Sequence, residues 1–332
     1  MMKGVFFYNK DVGDRVYGPE ETAALSELVD MAPVRLDRTN WREYRELLRD
    51  VDVILSTWNG PKIDAEFLEA APNLKAVFYG AGSIKGIMSD AAWERGIRIT
   101  SAYAANAVPV AEFTLSQILF CLKDGWQLSR RAHQGEQEIW LGSKVVPGAY
   151  RTKVGIISLG MIGKKVCELL KPFDVQVLVS SSYGSPELAK ELGVRFASVE
   201  DIFETCDCVS LHSPLLPSTA GMITGKHFRS MKTGASFINT ARGGVVRQDE
   251  MIEVLRERPD LTAVLDVTDP EPPEADSPLL SMPNVVLTPH LAGSFHHECR
   301  RMGQYMVDEL RRFLNGEDLK WAVTRERAEK LA

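Results

Sequence analysis

The feature that most narrows the fold is an alternation that runs along the chain, stops, and starts again. Short apolar runs of strand length are expected at 5–8, 51–55, 74–79 and 97–100, with helices at 64–70 and 90–95. Gly18-Pro19-Glu20-Glu21 opens a further helix. Proline in a first turn forfeits no hydrogen bond, and acids there meet the positive end of the helix dipole. Near Ala111 the pattern changes to a longer apolar-periodic helix, 111–129. A looser stretch, 130–150, follows and contains Gly135, Gly142, Pro147 and Gly148. The alternation then resumes with a strand at 154–157, a helix at 161–170 and a strand at 175–179. Further strands are expected at 208–211, 235–239, 261–265 and 285–287, and a last helix from about 294 to 314. Strands that alternate with helices pair in parallel, so the chain reads as α/β. The resumed unit covers 108–293. The last helix is expected to return to the first unit, which then comprises 1–107 plus 294–332. No repeat with a period of roughly 20–50 residues is seen.

Length agrees with that division. At roughly 150 residues per domain, 332 residues make two. Lys and Arg number 39 against 45 Asp and Glu, a net charge of −6. An acidic balance argues against a nucleic-acid partner. No apolar run is read as reaching the roughly 20 residues of a membrane span, so no membrane partner is expected. The apolar start, Met1 to Tyr8, runs at once into Asn9-Lys10-Asp11 and reads as a first strand. The five cysteines, Cys121, Cys167, Cys206, Cys208 and Cys299, have neither metal-ligand nor redox spacing. They are expected to be buried thiols in a reducing cytoplasm, with no metal site.

Ser158-Leu159-Gly160-Met161-Ile162-Gly163 follows the resumed strand and opens a helix. A dinucleotide-binding turn needs glycines there, one for close approach to a pyrophosphate and one for packing helix on strand. The anion then lies on the free N–H groups of the helix N-terminus. Here serine stands where the first glycine of the pattern belongs. The acid that would hold an adenosine ribose 2′-hydroxyl, about 20 residues on, is also missing. That place reads Ser180-Ser181-Ser182-Tyr183-Gly184, and the first acid is Glu187. A carboxylate repels a 2′-phosphate, so its absence removes a barrier to NADP.

Three later strands end in polar groups. Phe237-Ile238-Asn239-Thr240-Ala241-Arg242 ends in an arginine, and Asp266-Val267-Thr268-Asp269-Pro270-Glu271 in acids. Leu287-Thr288-Pro289-His290 ends in a histidine. Carboxyl ends of neighbouring parallel strands are where α/β folds bind ligands. With the glycine loop, these segments resemble the D-isomer-specific 2-hydroxyacid dehydrogenase family across nearly the whole chain.

That resemblance implies two Rossmann-like or flavodoxin-like α/β domains with parallel sheets and a cleft between them. It implies Arg242, Glu271 and His290 as catalytic residues. It implies cofactor contacts at Ser158, Gly160, Met161, Ile162, Gly163, Ser181, Pro214, Thr240 and Asp266, the last on the nicotinamide amide. It places a carboxylate-binding loop at Tyr79-Gly80-Ala81-Gly82-Ser83, with Gly80, Ala81 and Gly82 on the substrate, and the family's usual asparagine ahead of the interdomain helix at Asn106. Two positions depart from the family pattern: Ser181 replaces the usual acid, and Ser83-Ile84 replaces a frequent Asp-Asn pair.

The implied activity is hydride transfer between NAD(P)(H) and a small 2-oxo acid or D-2-hydroxy acid, with NADPH at least tolerated. Arg242 forks to carboxylate and carbonyl in a planar geometry that lysine lacks. His290 exchanges the proton, and Glu271 beside it favours the imidazolium and orients it. Backbone N–H groups of Gly80-Ala81-Gly82 form an anion nest. A homodimer is implied through the apolar helix 111–122 and the Trp140-bearing loop. His133, His212, His227, His296 and His297 lack a comparable setting, the last two reading as helix caps or cleft-edge groups. Burial is expected for Trp58, Trp126 and Trp140. Two other readings stay open: a nucleotide-sensing binding protein of the same fold, as in corepressors, and an oxidoreductase for formate or phosphite.

Overall fold

The structure, a computed structural model, describes residues 1–141 and 146–330. Gly142 of the looser stretch lies outside the described residues. The chain divides into two compact units. One takes Met1–Asn106 and the chain from Ser294 onward; the other is Ala107–Gly293.

The first unit holds five parallel strands: β1 (Lys3–Phe7), β2 (Asp30–Leu36), β3 (Val53–Ser56), β4 (Ala76–Tyr79) and β5 (Arg98–Ser101), in the order β2-β1-β3-β4-β5. Successive side chains of a strand point to opposite faces, and here both faces are apolar. Val5, Phe7, Ile54 and Val77 enter one core, while Phe6, Val53, Leu55, Ala76 and Phe78 enter the other. Continuous apolar runs are what a parallel sheet covered on both sides requires. Strand β2, absent from the sequence reading, lies at the edge and contains Pro33. An edge tolerates a residue with no N–H.

The second unit repeats the logic. Its strands are β6 (Tyr150–Ile157), β7 (Asp174–Ser180), β8 (Arg195–Phe196), β9 (Cys208–Leu211), β10 (Ser236–Asn239), β11 (Thr262–Leu265) and β12 (Val285–Leu287). The order is β12-β11-β10-β9-β6-β7-β8, with every pairing parallel. Val154, Ile156, Ile238 and Val264 face one core; Ile157, Val209, Phe237 and Leu265 face the other. The order reverses direction between β6 and β9. At such a switch point the crossovers diverge and leave a crevice at the strands' carboxyl ends.

Three boundaries differ from expectation. The helix expected over 111–129 is two helices, Tyr103–Cys121 and Gly125–His133. The first contains Pro109, which costs one backbone bond without ending it. The break falls at Asp124, whose φ is 50°. The Tyr103–Cys121 helix is also long and apolar enough to cross a membrane, contrary to the reading that no such run exists. More than half of it is buried, and Ala111, Ile118 and Cys121 pack against Val154 and Ile156 in the second unit's core. The last helix starts at Glu298, not 294. Residues 294–297 form a turn, in which His296 has φ 42° and Glu298 Oε2 accepts from the Phe295 N–H at 2.9 Å. His297 occupies the N-cap position but makes no side-chain cap bond. All five cysteines are buried. Trp140, in contrast, is 72% exposed.

Candidate active site

The turn after β6 is shaped by close backbone approach. A Cβ on Gly163 would lie 2.2 Å from the Ser158 carbonyl oxygen, so only glycine lets the helix seat on the turn. Around Gly160 there is open space, with nothing within 4 Å of a Cβ. Gly160 caps the ten-residue helix Met161–Leu170, and its carbonyl accepts from Lys164 N–H at 2.9 Å. The N–H groups of Met161 and Ile162, in the first turn, have no acceptor inside the helix. Bare N–H groups facing open space fit the pyrophosphate of a dinucleotide.

Ser158 occupies its position at φ 78°, in the left-handed half of backbone space. Its N–H donates to Ser180 O at 2.8 Å, tying the end of β6 to the end of β7. Ser181 follows, and its Oγ accepts from Tyr183 N–H at 3.1 Å.

At the end of β9 stands His212, 7% exposed, with its N–H bonded to Ile157 O at 2.9 Å. Its Nε2 lies 3.0 Å from Ser210 Oγ. The Nδ1 atom is buried without a partner among the described residues. Desolvation pushes its pKa down to about 4, so the ring is neutral. Pro214 is half-buried just beyond, and its carbonyl accepts from Thr219 Oγ1 at 2.5 Å. Thr240 is buried, its hydroxyl 3.2 Å from that of Thr114.

The ends of β10, β11 and β12 carry Arg242, Glu271 and His290. Asn239, buried at the end of β10, grips the Arg242 turn from both sides. Its Oδ1 accepts from Ala241 N–H at 2.9 Å and its Nδ2 donates to Arg242 O at 3.2 Å. Arg242 Nη1 donates to Ala241 O at 2.6 Å. The next residue is Gly243, where a Cβ would fall 2.1 Å from the backbone of Thr268. Only glycine lets these two loops touch. Gln248 fixes the second loop at Asp269, accepting from its N–H at 3.0 Å and donating to its carbonyl at 2.7 Å. Two residues on, Glu271 Oε1 lies 2.5 Å from His290 Nδ1, both side chains partly exposed.

Asp266 does more within the chain than the resemblance implies. It is 2% exposed. Its Oδ1 accepts from Thr288 Oγ1 at 2.6 Å and Leu291 N–H at 2.8 Å, and its Oδ2 accepts from Ala292 N–H at 3.0 Å. Its carbonyl accepts from His290 N–H at 3.0 Å. The Asp266 carboxylate thus holds the turn in which His290 stands at φ 51°.

In the first unit, Gly80 N–H already donates to Ser56 O at 2.7 Å and Ala81 N–H to Tyr79 O at 2.8 Å. Of the expected nest, the Gly82 N–H is left without a partner among the described residues. Asn106 Oδ1 accepts from Ser294 N–H at 2.8 Å, joining the two places where the chain crosses between units. Asn239, Gln248 and Ser210 were not singled out by the sequence. Their spacing carries no periodic signal, and their partners become neighbours only through strand pairing.

A doubly wound sheet, a glycine turn after β6 open to a pyrophosphate and an imidazole–carboxylate contact after β11 and β12 fit a dinucleotide-dependent dehydrogenase class. The comparisons narrow it. A family model described as the D-isomer specific 2-hydroxyacid dehydrogenase NAD binding domain matches residues 115–292. The chain is 34% identical over 274 residues to a glyoxylate reductase of Korarchaeum cryptofilum, covering 82% of each. It is 31% identical over 263 residues to a D-3-phosphoglycerate dehydrogenase of Archaeoglobus fulgidus, covering 79% of this chain but only 49% of that one. The NAD complex of a D-isomer specific 2-hydroxyacid dehydrogenase from Lactobacillus delbrueckii shares the fold. The TM-score is 0.80 at 23% identity, over 97% of this chain and 100% of that one. The chain belongs to the D-isomer specific 2-hydroxyacid dehydrogenase family.

The buried neutral His212 makes stability depend on pH. In the unfolded chain the ring takes a proton below about 6.5, but in the fold only near 4. Its contribution is therefore complete above pH 6.5 and is lost as the pH falls toward 4, by about 3 kcal/mol in all. The His212→Gln variant should lack that loss. Urea unfolding from pH 7 to 4 should show the gap between wild type and variant shrinking as the pH drops. A gap that stays constant would mean the ring does not titrate with folding.

Proposed function

We propose that the chain is an oxidoreductase that interconverts a small 2-oxo acid and the D-2-hydroxy acid with NAD(P)(H). The observation that carries this reading is the 2.5 Å contact of His290 with Glu271, one strand from Arg242 and on the same edge as the glycine turn. Bound at that turn, the nicotinamide cofactor supplies or accepts the hydride. Glu271 accepts from Nδ1–H of His290, which leaves Nε2 as the atom that gives a proton to the carbonyl oxygen or takes it back. Arg242 is half-buried, and one guanidinium N–H is spent on Ala241 O. Its other N–H groups fork to the carboxylate and carbonyl of the substrate. Asp266, with three donors on its carboxylate, holds the histidine turn; a contact with the cofactor amide has to share those oxygens. In the first unit, Gly82 offers its N–H, unpaired among the described residues, as a donor to a small carboxylate.

Turnover tests the assignment. His290→Ala should lower the rate of 2-oxo acid reduction by roughly 10²–10⁴-fold. Glu271→Gln keeps the shape but turns the ionic contact with His290 Nδ1 into a neutral one. It should lower kcat for reduction while leaving KM nearly unchanged. Near-full activity in His290→Ala would refute the donor assignment. Wild-type chain that binds NADH but turns over no 2-oxo acid would favour the nucleotide-sensing reading.

Cofactor choice follows from Ser181. NADPH should serve at least as well as NADH, and Ser181→Asp should shift preference strongly to NADH by repelling the 2′-phosphate. Wild type preferring NADH by more than about tenfold, roughly 1.4 kcal/mol, would sink this.

Self-association as a twofold dimer is proposed through the 111–150 region. There Phe120, Trp140 and Tyr150 are 40%, 72% and 64% exposed, and the Gly125–His133 helix buries no residue. Closed twofold pairing is the commonest arrangement. Light scattering at micromolar concentration should return twice the chain mass, and a monomer would refute it.

A further inference from the structure

Ser158 is anomalous in a way that the fold does not explain. An L-residue at φ 78° is strained, and glycine takes that backbone freely. The turn would form at lower cost with glycine, yet serine is there. Its hydroxyl has no hydrogen-bond partner among the described residues, so the strain is not offset inside the chain.

Strand pairing places this hydroxyl. Ile157 and Ser180 are register partners on β6 and β7, and the Ser158 N–H bonds Ser180 O. Ser158 and Ser181 are therefore the next residues along two adjacent parallel strands. This is the end of the second strand, where a dinucleotide fold holds the adenosine ribose. The Ser181 oxygen already accepts from Tyr183 N–H, so its own proton is free to donate. Both serines thus have a proton to give, and a phosphate can take both through separate oxygens, whereas a 2′-hydroxyl offers them a single oxygen. A ribose 2′-hydroxyl is held in this fold by an acceptor, a carboxylate, and there is none before Glu187. A 2′-phosphate offers only strong acceptor oxygens.

We propose that Ser158 is a specificity-determining residue for the cofactor, its hydroxyl donating to the 2′-phosphate of NADP(H) alongside Ser181. The proposal rests on the reading that NADPH is accepted, and adds a residue at a position where the fold itself favours glycine.

Two variants separate ligand contact from backbone strain. Ser158→Gly removes the hydroxyl and the strain; Ser158→Ala removes only the hydroxyl. The thermal midpoint of the cofactor-free chain should rise by about 2–4 °C in Ser158→Gly and should not rise in Ser158→Ala. Equilibrium titration followed by reduced-nicotinamide fluorescence should show both variants binding NADPH about five- to tenfold more weakly. The affinity of each for NADH should change less than about twofold. If the variants keep the NADPH affinity of a wild type that binds NADPH, the role of Ser158 is refuted while the cofactor reading stands. Equal losses for NADPH and NADH refute it as well, because the contact is then not with the 2′ position. A wild type that binds NADH but not NADPH overturns both.

Discussion

Everything at the candidate site hangs from one constraint: the described strands of each sheet run the same way. In the second unit the chain leaves every strand at the same edge, so polar residues far apart in sequence are delivered to one rim. Arg242, Glu271 and His290 follow β10, β11 and β12, which are consecutive in the sheet. The glycine turn follows β6, at the point where the order reverses. The constraint is sustained by burial on both faces. Alternate residues such as Phe237 and Ile238 enter different cores, so a slip of one residue would exchange two fully packed faces.

Upon that rim a smaller set of contacts fixes geometry. Asn239, Gln248 and Asp266 each use a buried or half-buried polar side chain to hold a loop that the sheet only launches. Asp266 matters most among them. Buried hydrogen bonds to a charged acceptor contribute more than neutral ones, and three of them converge on the turn that sets His290 at φ 51°. The histidine faces Glu271 because its backbone is held, and its exposed ring makes no other polar contact among the described residues.

Much of this was legible in the sequence because it is local. The helix at Met161–Leu170 and the strand at Cys208–Leu211 fall where apolar periodicity puts them. So do the turn glycines, whose need is set by neighbours a few residues away. What was not legible depends on distant partners. Asp266 acts on residues 22 to 26 positions later. Strand β2 carries a proline and is only partly buried, so neither its pattern nor its composition marks it. The helix that continues through Pro109 is stabilised by packing its apolar face, which outweighs one missing bond. Ser158 could be read as a departure from the pattern, but its positive φ could not.

The contact between Gly243 and the backbone of Thr268 has a mechanical consequence. No side chain separates the two loops, so there is no cushion to absorb a displacement of either. A shift of the arginine-bearing loop at Gly243 therefore presses directly on the backbone of the glutamate-bearing loop at Thr268. An insertion or a bulkier residue in one would carry the other with it, and the histidine's partner would be misplaced by a change made several residues from either. A change elsewhere on the rim, in segments whose backbones do not touch, leaves that pairing in place.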